Sequence, residues 1–282
     1  MQFGVNLLLY GDTVTEPVMR RFTELRRAGA QGVEVPVFKP ETVDTATIRR
    51  AAEAASLTCT VSGALPAGCR WYGAKSGPRH DAEKYVRACV KAAVELGATV
   101  ICGPLYKTVG DMDESLPLER QRRETARAMR DIAQEASEKG VTLALEPLNR
   151  FETNLINTVE QGVEFCQRVV SPGAGLLLDT FHMHIEEKDS PTAVGLAARA
   201  GVLAHFHVSE NDRGVAGTGQ VHWAEIAAAL RAAHYDGWAV IESFSQRGEA
   251  IRRAVSCWRP FYRSESEFVR SGLAFARRTF AA

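Results

Sequence analysis

The 282-residue chain has no net charge: thirty-four Lys and Arg balance thirty-four Asp and Glu. That argues against a dedicated nucleic-acid binder, which needs a basic face for phosphate contacts. It also leaves little electrostatic protection against self-association, so an oligomer is expected. No run of 18 or more apolar residues occurs, so no membrane-spanning helix is expected. Met1–Tyr10 carries no basic segment and no small-residue cleavage site, and is not read as a secretory signal. None of the six cysteines forms a C-x-x-C pair, and most sit in apolar segments. The expectation is a reducing, cytoplasmic setting without a disulfide framework. No Pro/Gly/Ser-rich linker divides the chain, so residues 1–282 are read as one domain. The fingerprint G-x-G-x-x-G does not follow the first strand, which argues against an open dinucleotide-binding sheet.

What is present is a regular alternation. Short apolar runs read as strands at Phe3–Leu9, Gly32–Val35, Leu57–Ser62, Thr99–Cys102, Val141–Leu145, Gly175–Leu178, Val202–Val208 and Trp238–Ile241. Between them lie stretches with apolar residues at helical spacing, such as Val86, Cys89, Val90, Ala93 and Val94. Ser190 is expected to cap a helix that carries Pro191 in its first turn. Continuously apolar strands separated by helices indicate a parallel sheet buried on both faces. Eight such units within one barrel's length predict an α/β fold, a (β/α)₈ TIM barrel. Residues from about Ala250 to Phe280 read as a broken helix pair, with Trp258, Phe261 and Tyr262 near the break expected to pack on the barrel.

In such a barrel the chemistry sits at the C-terminal ends of the strands. There the sequence places Glu34, Glu146, Asp179 and Glu242, with His205 and His207 on one face of the seventh strand. A buried, unpaired carboxylate costs several kcal/mol or becomes neutral. A divalent cation resolves that cost, and mixed carboxylate and imidazole donors suit Mn²⁺, Mg²⁺ or Co²⁺. Plainer readings stand beside this one. Asp179 before Thr180 can cap a helix, Glu146 can cap the loop at Pro147, Glu34 can be a salt-bridge partner, and one histidine can belong to the core.

The run Leu145-Glu146-Pro147-Leu148-Asn149-Arg150-Phe151-Glu152-Thr153-Asn154 resembles the D-tagatose/D-allulose (ketose) 3-epimerases, which are xylose isomerase-like TIM barrels. Three further blocks agree: Leu178–Met183, His205–Gly214 and Val240–Phe244. The resemblance implies that Glu146, Asp179, His207 and Glu242 hold one divalent metal, with Mn²⁺ first and Co²⁺ or Mg²⁺ as alternatives. It implies that Glu152, His182 and Arg213 bind the oxygens at the C1–C2 end of a ketose. Glu146 and Glu242 would double as the catalytic acid and base, one abstracting the C3 proton and the other returning it on the opposite face through a cis-enediolate. No organic cofactor is implied.

The distal half of the sugar pocket departs from the pattern. The loop after the fourth strand, Gly103–Gly110, lacks the Trp common in the family, and Tyr106 or Lys107 is expected to line the C4–C6 end instead. Arg70, Trp71 and Tyr72 are expected in a lid, and Lys107, Arg70 and Lys75 are candidate phosphate contacts. Gly217–Val221 is expected to shape the rim. Two other activities use the same fold: an aldose–ketose isomerase, which shares the enediolate chemistry, and an apurinic-site endonuclease-like phosphodiesterase. The latter calls for more histidine than seven and a basic face.

Overall fold

The computed structural model describes residues 1–73 and 77–281. Eight parallel strands close into a barrel in chain order: β1 (Gln2–Asn6), β2 (Gly32–Pro36), β3 (Thr58–Ser62), β4 (Val100–Gly103), β5 (Thr142–Leu145), β6 (Ala174–Asp179), β7 (Leu203–Val208) and β8 (Trp238–Ile241), with β8 returning to pair with β1. The α-helices of the first half are α1 (Glu16–Met19), α2 (Phe22–Arg27), α3 (Thr45–Ala54), α4 (Gly77–Leu96) and α5 (Leu118–Glu138). The second half supplies α6 (Val159–Val169), α7 (Thr180–Glu186), α8 (Ser190–Arg199), α9 (Trp223–Ala232), α10 (Glu249–Ala254) and α11 (Glu265–Phe280).

The helices form where sequence chemistry favours them. Thr158 and Gln161 make a reciprocal capping box at the start of α6. The cap of α8 is Asp189, one residue before the expected Ser190, and its carboxylate accepts from Thr192 N. Ser190 is the first helical residue and Pro191 follows it in the first turn. Val18, Phe22 and Leu25 have the spacing of one helix but lie on two short ones, α1 and α2. The strand read as Phe3–Leu9 ends at Asn6, whose side chain accepts from Leu8 N and starts a 3₁₀ turn.

Two layers hold the barrel. The larger lies between strands and helices and includes Val5, Val33, Val35, Ile101, Leu143, Phe206 and Ile241. The second fills the barrel's lower interior with Val100, Cys102, Ala144 and Leu177. Gly173 permits the approach of β6 to α5, since a Cβ there would lie 1.9 Å from the Ala133 carbonyl oxygen. Phe280 on α11 meets Phe206 and Trp223 edge-on, closing the helical ring beside β8. Tyr262 is buried as expected, but Trp258 is 67% exposed and does not join the core.

Candidate active site

Strand register builds the upper interior from polar residues. Asn6 pairs with Glu34, and Glu34 with Thr60, so three polar side chains from β1, β2 and β3 stand abreast. Across the barrel Asp179 pairs with His207. All of these are essentially fully buried, as are Glu146, His182, Arg213 and Glu242.

The four expected metal ligands converge around Asp179. Ligand atoms of Asp179, His207 and Glu242 lie within 4.8 Å of one another, and so do those of Glu146, Asp179 and His182. His207 Nδ1 is 3.3 Å from Glu242 Oε1 and 3.6 Å from Asp179 Oδ2. That nitrogen is buried and has no hydrogen-bond partner among the described residues. A buried imidazole nitrogen aimed at two carboxylates, without a partner, is the donor arrangement a divalent cation fits. Burial raises the Glu146 carboxyl well above the usual range, helped by the negative charges of Glu242 and Asp179. A cation at this point would reverse that effect.

Asp179 serves two purposes. One oxygen, Oδ1, caps α7 by accepting from Phe181 N at 2.6 Å. The other, Oδ2, accepts from Ser209 Oγ at 3.0 Å and Arg213 Nη1 at 2.8 Å. The capping reading and the ligand reading of this residue therefore coexist. Burial opposes its charge, but Arg213, His207 and His182 together outweigh burial and hold the carboxyl well below its ordinary value.

Arg213 is the positive element of the site. Its Nη1 also donates to Glu242 Oε2 at 2.8 Å. The guanidinium lies 3.9 Å from the Phe181 ring centroid and 5.0 Å from that of Phe244. Its backbone is left-handed, φ 62°, a conformation that costs energy for any residue other than glycine. It is held there by its N–H on the Glu210 carbonyl and by Ser243 Oγ donating to its own carbonyl.

His182 is fixed as one tautomer. Asn149 N donates to its Nδ1 at 3.0 Å, so in the neutral ring the hydrogen is on Nε2. That Nε2 faces Arg213 Nη2 at 3.2 Å and Glu146 Oε1 at 3.5 Å. Two donors, His182 Nε2–H and Arg213 Nη2–H, thus point to one place, where an oxygen of a bound molecule would accept from both. Burial lowers the His182 pKa to about 4, keeping the ring neutral. Asn149 Nδ2 meanwhile donates to Glu152 Oε1 at 2.8 Å, tying the half-buried Glu152 to the same rim.

Glu146, Glu152, His182, His207, Arg213 and Glu242 line a cavity of about 240 Å³ at the C-terminal mouth. Its distal wall is apolar, with Leu8, Phe38, Pro104, Val109, Leu148 and Val255. A larger cleft, about 430 Å³, lies outside the barrel beside α7, α8 and α9 and contains none of the expected site residues.

Several expectations about the mouth are corrected. Tyr106 is buried, its hydroxyl on the Glu146 and Ile156 carbonyls, so it braces the end of β5 and does not line the cavity. Lys107 is also buried, bonded to Asn154 Oδ1 at 2.6 Å. Trp71 packs inside with Nε1 donating to Leu105 O, and Tyr72 binds Asp113, so neither is a lid. Arg70 lies 3.6 Å from Asp113, and Lys75 falls outside the described residues. The Gly217–Val221 loop is held by Glu210, which gathers the N–H groups of Gly217 and Val221 and the Trp223 indole, and none of its residues lines the cavity.

The sequence reading gives no role to Asn6, Thr60, Asn149 or Ser209. The available signal was a polar residue within or directly after an apolar strand. Cys102, read as a small hydrophobe, sits 3.7 Å from His207 Nε2 with its thiol pushed up by burial.

Residues 22–261 match the family model of the xylose isomerase-like TIM barrels. The chain is 32% identical to an L-ribulose 3-epimerase of Mesorhizobium japonicum, over 97% of this chain and 92% of that one. It is 30% identical to a ketose 3-epimerase of Arthrobacter globiformis, over 98% and 96%. The crystal structure of a Methylomonas D-allulose 3-epimerase in complex with D-allulose superposes with a TM-score of 0.92 at 27% identity, covering 99% of this chain and 97% of that one.

Proposed function

The chain belongs to the xylose isomerase-like TIM barrels and within them to the ketose 3-epimerases, and from that premise we propose that it epimerises free ketoses at C3 with one divalent cation. It is a carbohydrate epimerase, an isomerase. The observation that carries the reading is the unpartnered, buried Nδ1 of His207 facing Asp179 and Glu242.

Glu146, Asp179, His207 and Glu242 would hold the cation, with Mn²⁺ preferred over Co²⁺ or Mg²⁺. When bound, it would polarise the C2 ketone and offset the charge of the enediolate. The rest falls to the protein. His182 Nε2–H and Arg213 Nη2–H would donate to an oxygen at the C1–C2 end, and Glu152 would accept from a hydroxyl there. One of Glu146 and Glu242 takes the C3 proton as the C3–H electron pair becomes the C2=C3 bond of the enediolate. The other carboxyl then gives a proton to the opposite face of C3, and the ketone re-forms with inverted configuration. The cycle closes when the two carboxyls exchange the proton with solvent or with each other.

A free sugar is favoured over a phosphate ester. Among the described residues lining the cavity, Arg213 is the sole permanent cation, and it is engaged by Asp179 and Glu242. The same fact disfavours a phosphodiesterase. D-tagatose, D-fructose/D-allulose and L-ribulose are the proposed substrates. We further propose that residues 1–282 act as one catalytic domain in the cytoplasm, in keeping with six unpaired thiols. Assembly as a homodimer or homotetramer is proposed from the neutral charge and the exposed Phe151 and Trp258. No helix among the described residues is long and apolar enough to cross a membrane.

The test is isotopic. Protein stripped with EDTA and reloaded with Mn²⁺ is incubated with each ketose in D₂O, and the product is analysed by NMR after chelation. Deuterium is expected at C3 with formation of the C3 epimer. Label at C1 with an aldose product would refute the epimerase reading in favour of the aldose–ketose isomerase. Glu146→Gln and Glu242→Gln are each expected to abolish exchange; an active Glu242→Gln protein would remove Glu242 from the acid–base role.

A further inference from the structure

Glu34 is a fully buried carboxylate that the reaction does not touch. Each of its oxygens receives two donors. Oε1 accepts from Asn6 Nδ2 at 3.0 Å and His207 Nε2 at 2.8 Å. Oε2 accepts from Thr60 Oγ1 at 3.0 Å and His205 Nε2 at 2.7 Å. Four polar hydrogen-bonding groups around its two oxygens, among them an amide and a hydroxyl that donate, are the setting of an ionised carboxylate. An ionised carboxylate only accepts, so His207 must present an N–H to it at Nε2. The remaining ring nitrogen, Nδ1, is then the one turned toward Asp179 and Glu242.

Asn6 extends this frame to the second strand end. Its amide orientation is set by Leu8 N donating to Oδ1 at 3.0 Å. Its Nδ2 therefore donates, to Glu34 Oε1 and also to Glu242 Oε1 at 2.8 Å. One carboxylate on β2 thus fixes an imidazole on β7 directly and a carboxylate beyond β8 through one side chain.

We propose that Glu34 is a positioning residue for the metal centre, selecting Nδ1 of His207 as the metal-binding nitrogen and, through Asn6, orienting Glu242. This rests on the metal-dependent reading above. The physical logic is that of an imidazole ligand whose second N–H is held by a carboxylate, which fixes the tautomer and raises ligand basicity. In Glu34→Gln the amide can turn an N–H toward His207, which forces Nε2 to accept and places the hydrogen on Nδ1. In Glu34→Asp the charge stays but withdraws from both histidines.

The experiment measures Mn²⁺ affinity of the metal-free protein, by the EPR signal of unbound Mn²⁺, alongside near-ultraviolet circular dichroism. Loss of such outer partners typically weakens metal binding about 10–100-fold, and both variants are expected in that range. Thr60→Val, which removes only a donor to the far oxygen, is expected to stay within about threefold of wild type. In the Mg²⁺-loaded protein, ¹⁵N NMR is expected to show the His207 hydrogen on Nε2. Wild-type affinity in both Glu34 variants, or a hydrogen on Nδ1, would overturn the proposal. So would a Thr60→Val protein weakened as much as they are. Should Glu34→Gln not fold, Glu34→Asp decides alone, and wild-type affinity there also overturns it. A wild-type protein that binds no Mn²⁺ would instead count against the metal-dependent reading itself.

Discussion

Replacing Arg213 by Met tests the electrostatics of the site most directly. The substitution keeps much of the stem volume but removes the guanidinium that lies 2.8 Å from both Asp179 Oδ2 and Glu242 Oε2. Both carboxylates are then buried without a cationic side chain in contact other than His207. Breaking a buried ion pair by deleting one partner typically costs about 3–5 kcal/mol, because the abandoned charge stays desolvated. Loss of the stacking on Phe181 and Phe244 adds about 0.5–2 kcal/mol. For a chain of this size a kcal/mol corresponds to about 2 °C in Tm, so metal-free protein at pH 8 should lose about 7–14 °C. Two further results follow from the same cause. Saturating Mn²⁺ should close much of the gap, since a cation bound by Asp179 and Glu242 replaces the missing charge. Lowering the pH should also narrow it. Asp179 has a depressed pKa in the native state, so the stability it contributes is present above the ordinary carboxyl pKa and is lost as pH falls through the folded value. Scanning calorimetry in EDTA, with and without added Mn²⁺, makes the measurement. A metal-free Arg213→Met protein that melts within about 1 °C of wild type would refute the claim that the guanidinium holds the carboxylates.

Other consequences are smaller in scope. His182 is neutral in the fold with a pKa near 4, so the unfolded chain takes up the proton first as pH drops from about 6.5. Stability should fall across that window by up to about 3 kcal/mol, and His182→Asn should flatten the pH slope of urea unfolding; an unchanged slope would contradict the burial argument. Buried negative neighbours keep a proton on His207 well above its ordinary pKa, and burial does so for Glu146. Mn²⁺ binding should therefore release about one proton or more and tighten as pH rises, which titration calorimetry in two buffers of different ionisation enthalpy measures. Zero net release would deny those protons. Gly103 has φ 122°, and an added Cβ would lie 2.2 Å from the Gly63 carbonyl oxygen. Gly103→Ala should lose more than about 1 kcal/mol and, because both glycines line the cavity, activity with it; a fully active, equally stable variant would show that the backbone gives way there.

The elements that hold the barrel were legible because burial on both faces leaves a plain mark. Val33 and Val35 face the helices while Glu34 alone turns inward, and a charged residue inside an apolar run stands out. Glu146, Asp179 and Glu242 were visible for the same reason, each ending or directly following an apolar strand. The distal pocket was not legible in this way. Tyr106, Lys107, Trp71 and Tyr72 have the composition of a ligand-binding rim, yet each makes a hydrogen bond to a neighbouring loop. Tyr106 and Trp71 satisfy loop carbonyls, while Lys107 and Tyr72 pair with the side chains of Asn154 and Asp113. Nothing in the local pattern tells such a brace from a contact surface. Trp258 erred the other way, an aromatic residue expected inside and found in solvent.

The sequence by itself determined the period of the fold and the chemistry at its strand ends, since alternation of apolar runs and the placing of isolated carboxylates are local properties. Tertiary structure alone decided which polar groups share a hydrogen bond. Asn6 and Glu242 are separated by nearly the whole chain, and they meet because the closing of the barrel sets β8 beside β1. The same closure brings Glu34 across the interior to His205 and His207. The orientation of His207 depends on that contact. Register and closure are collective results of packing eight strands around one axis, so the nitrogen that would face a metal was fixed by the barrel as a whole.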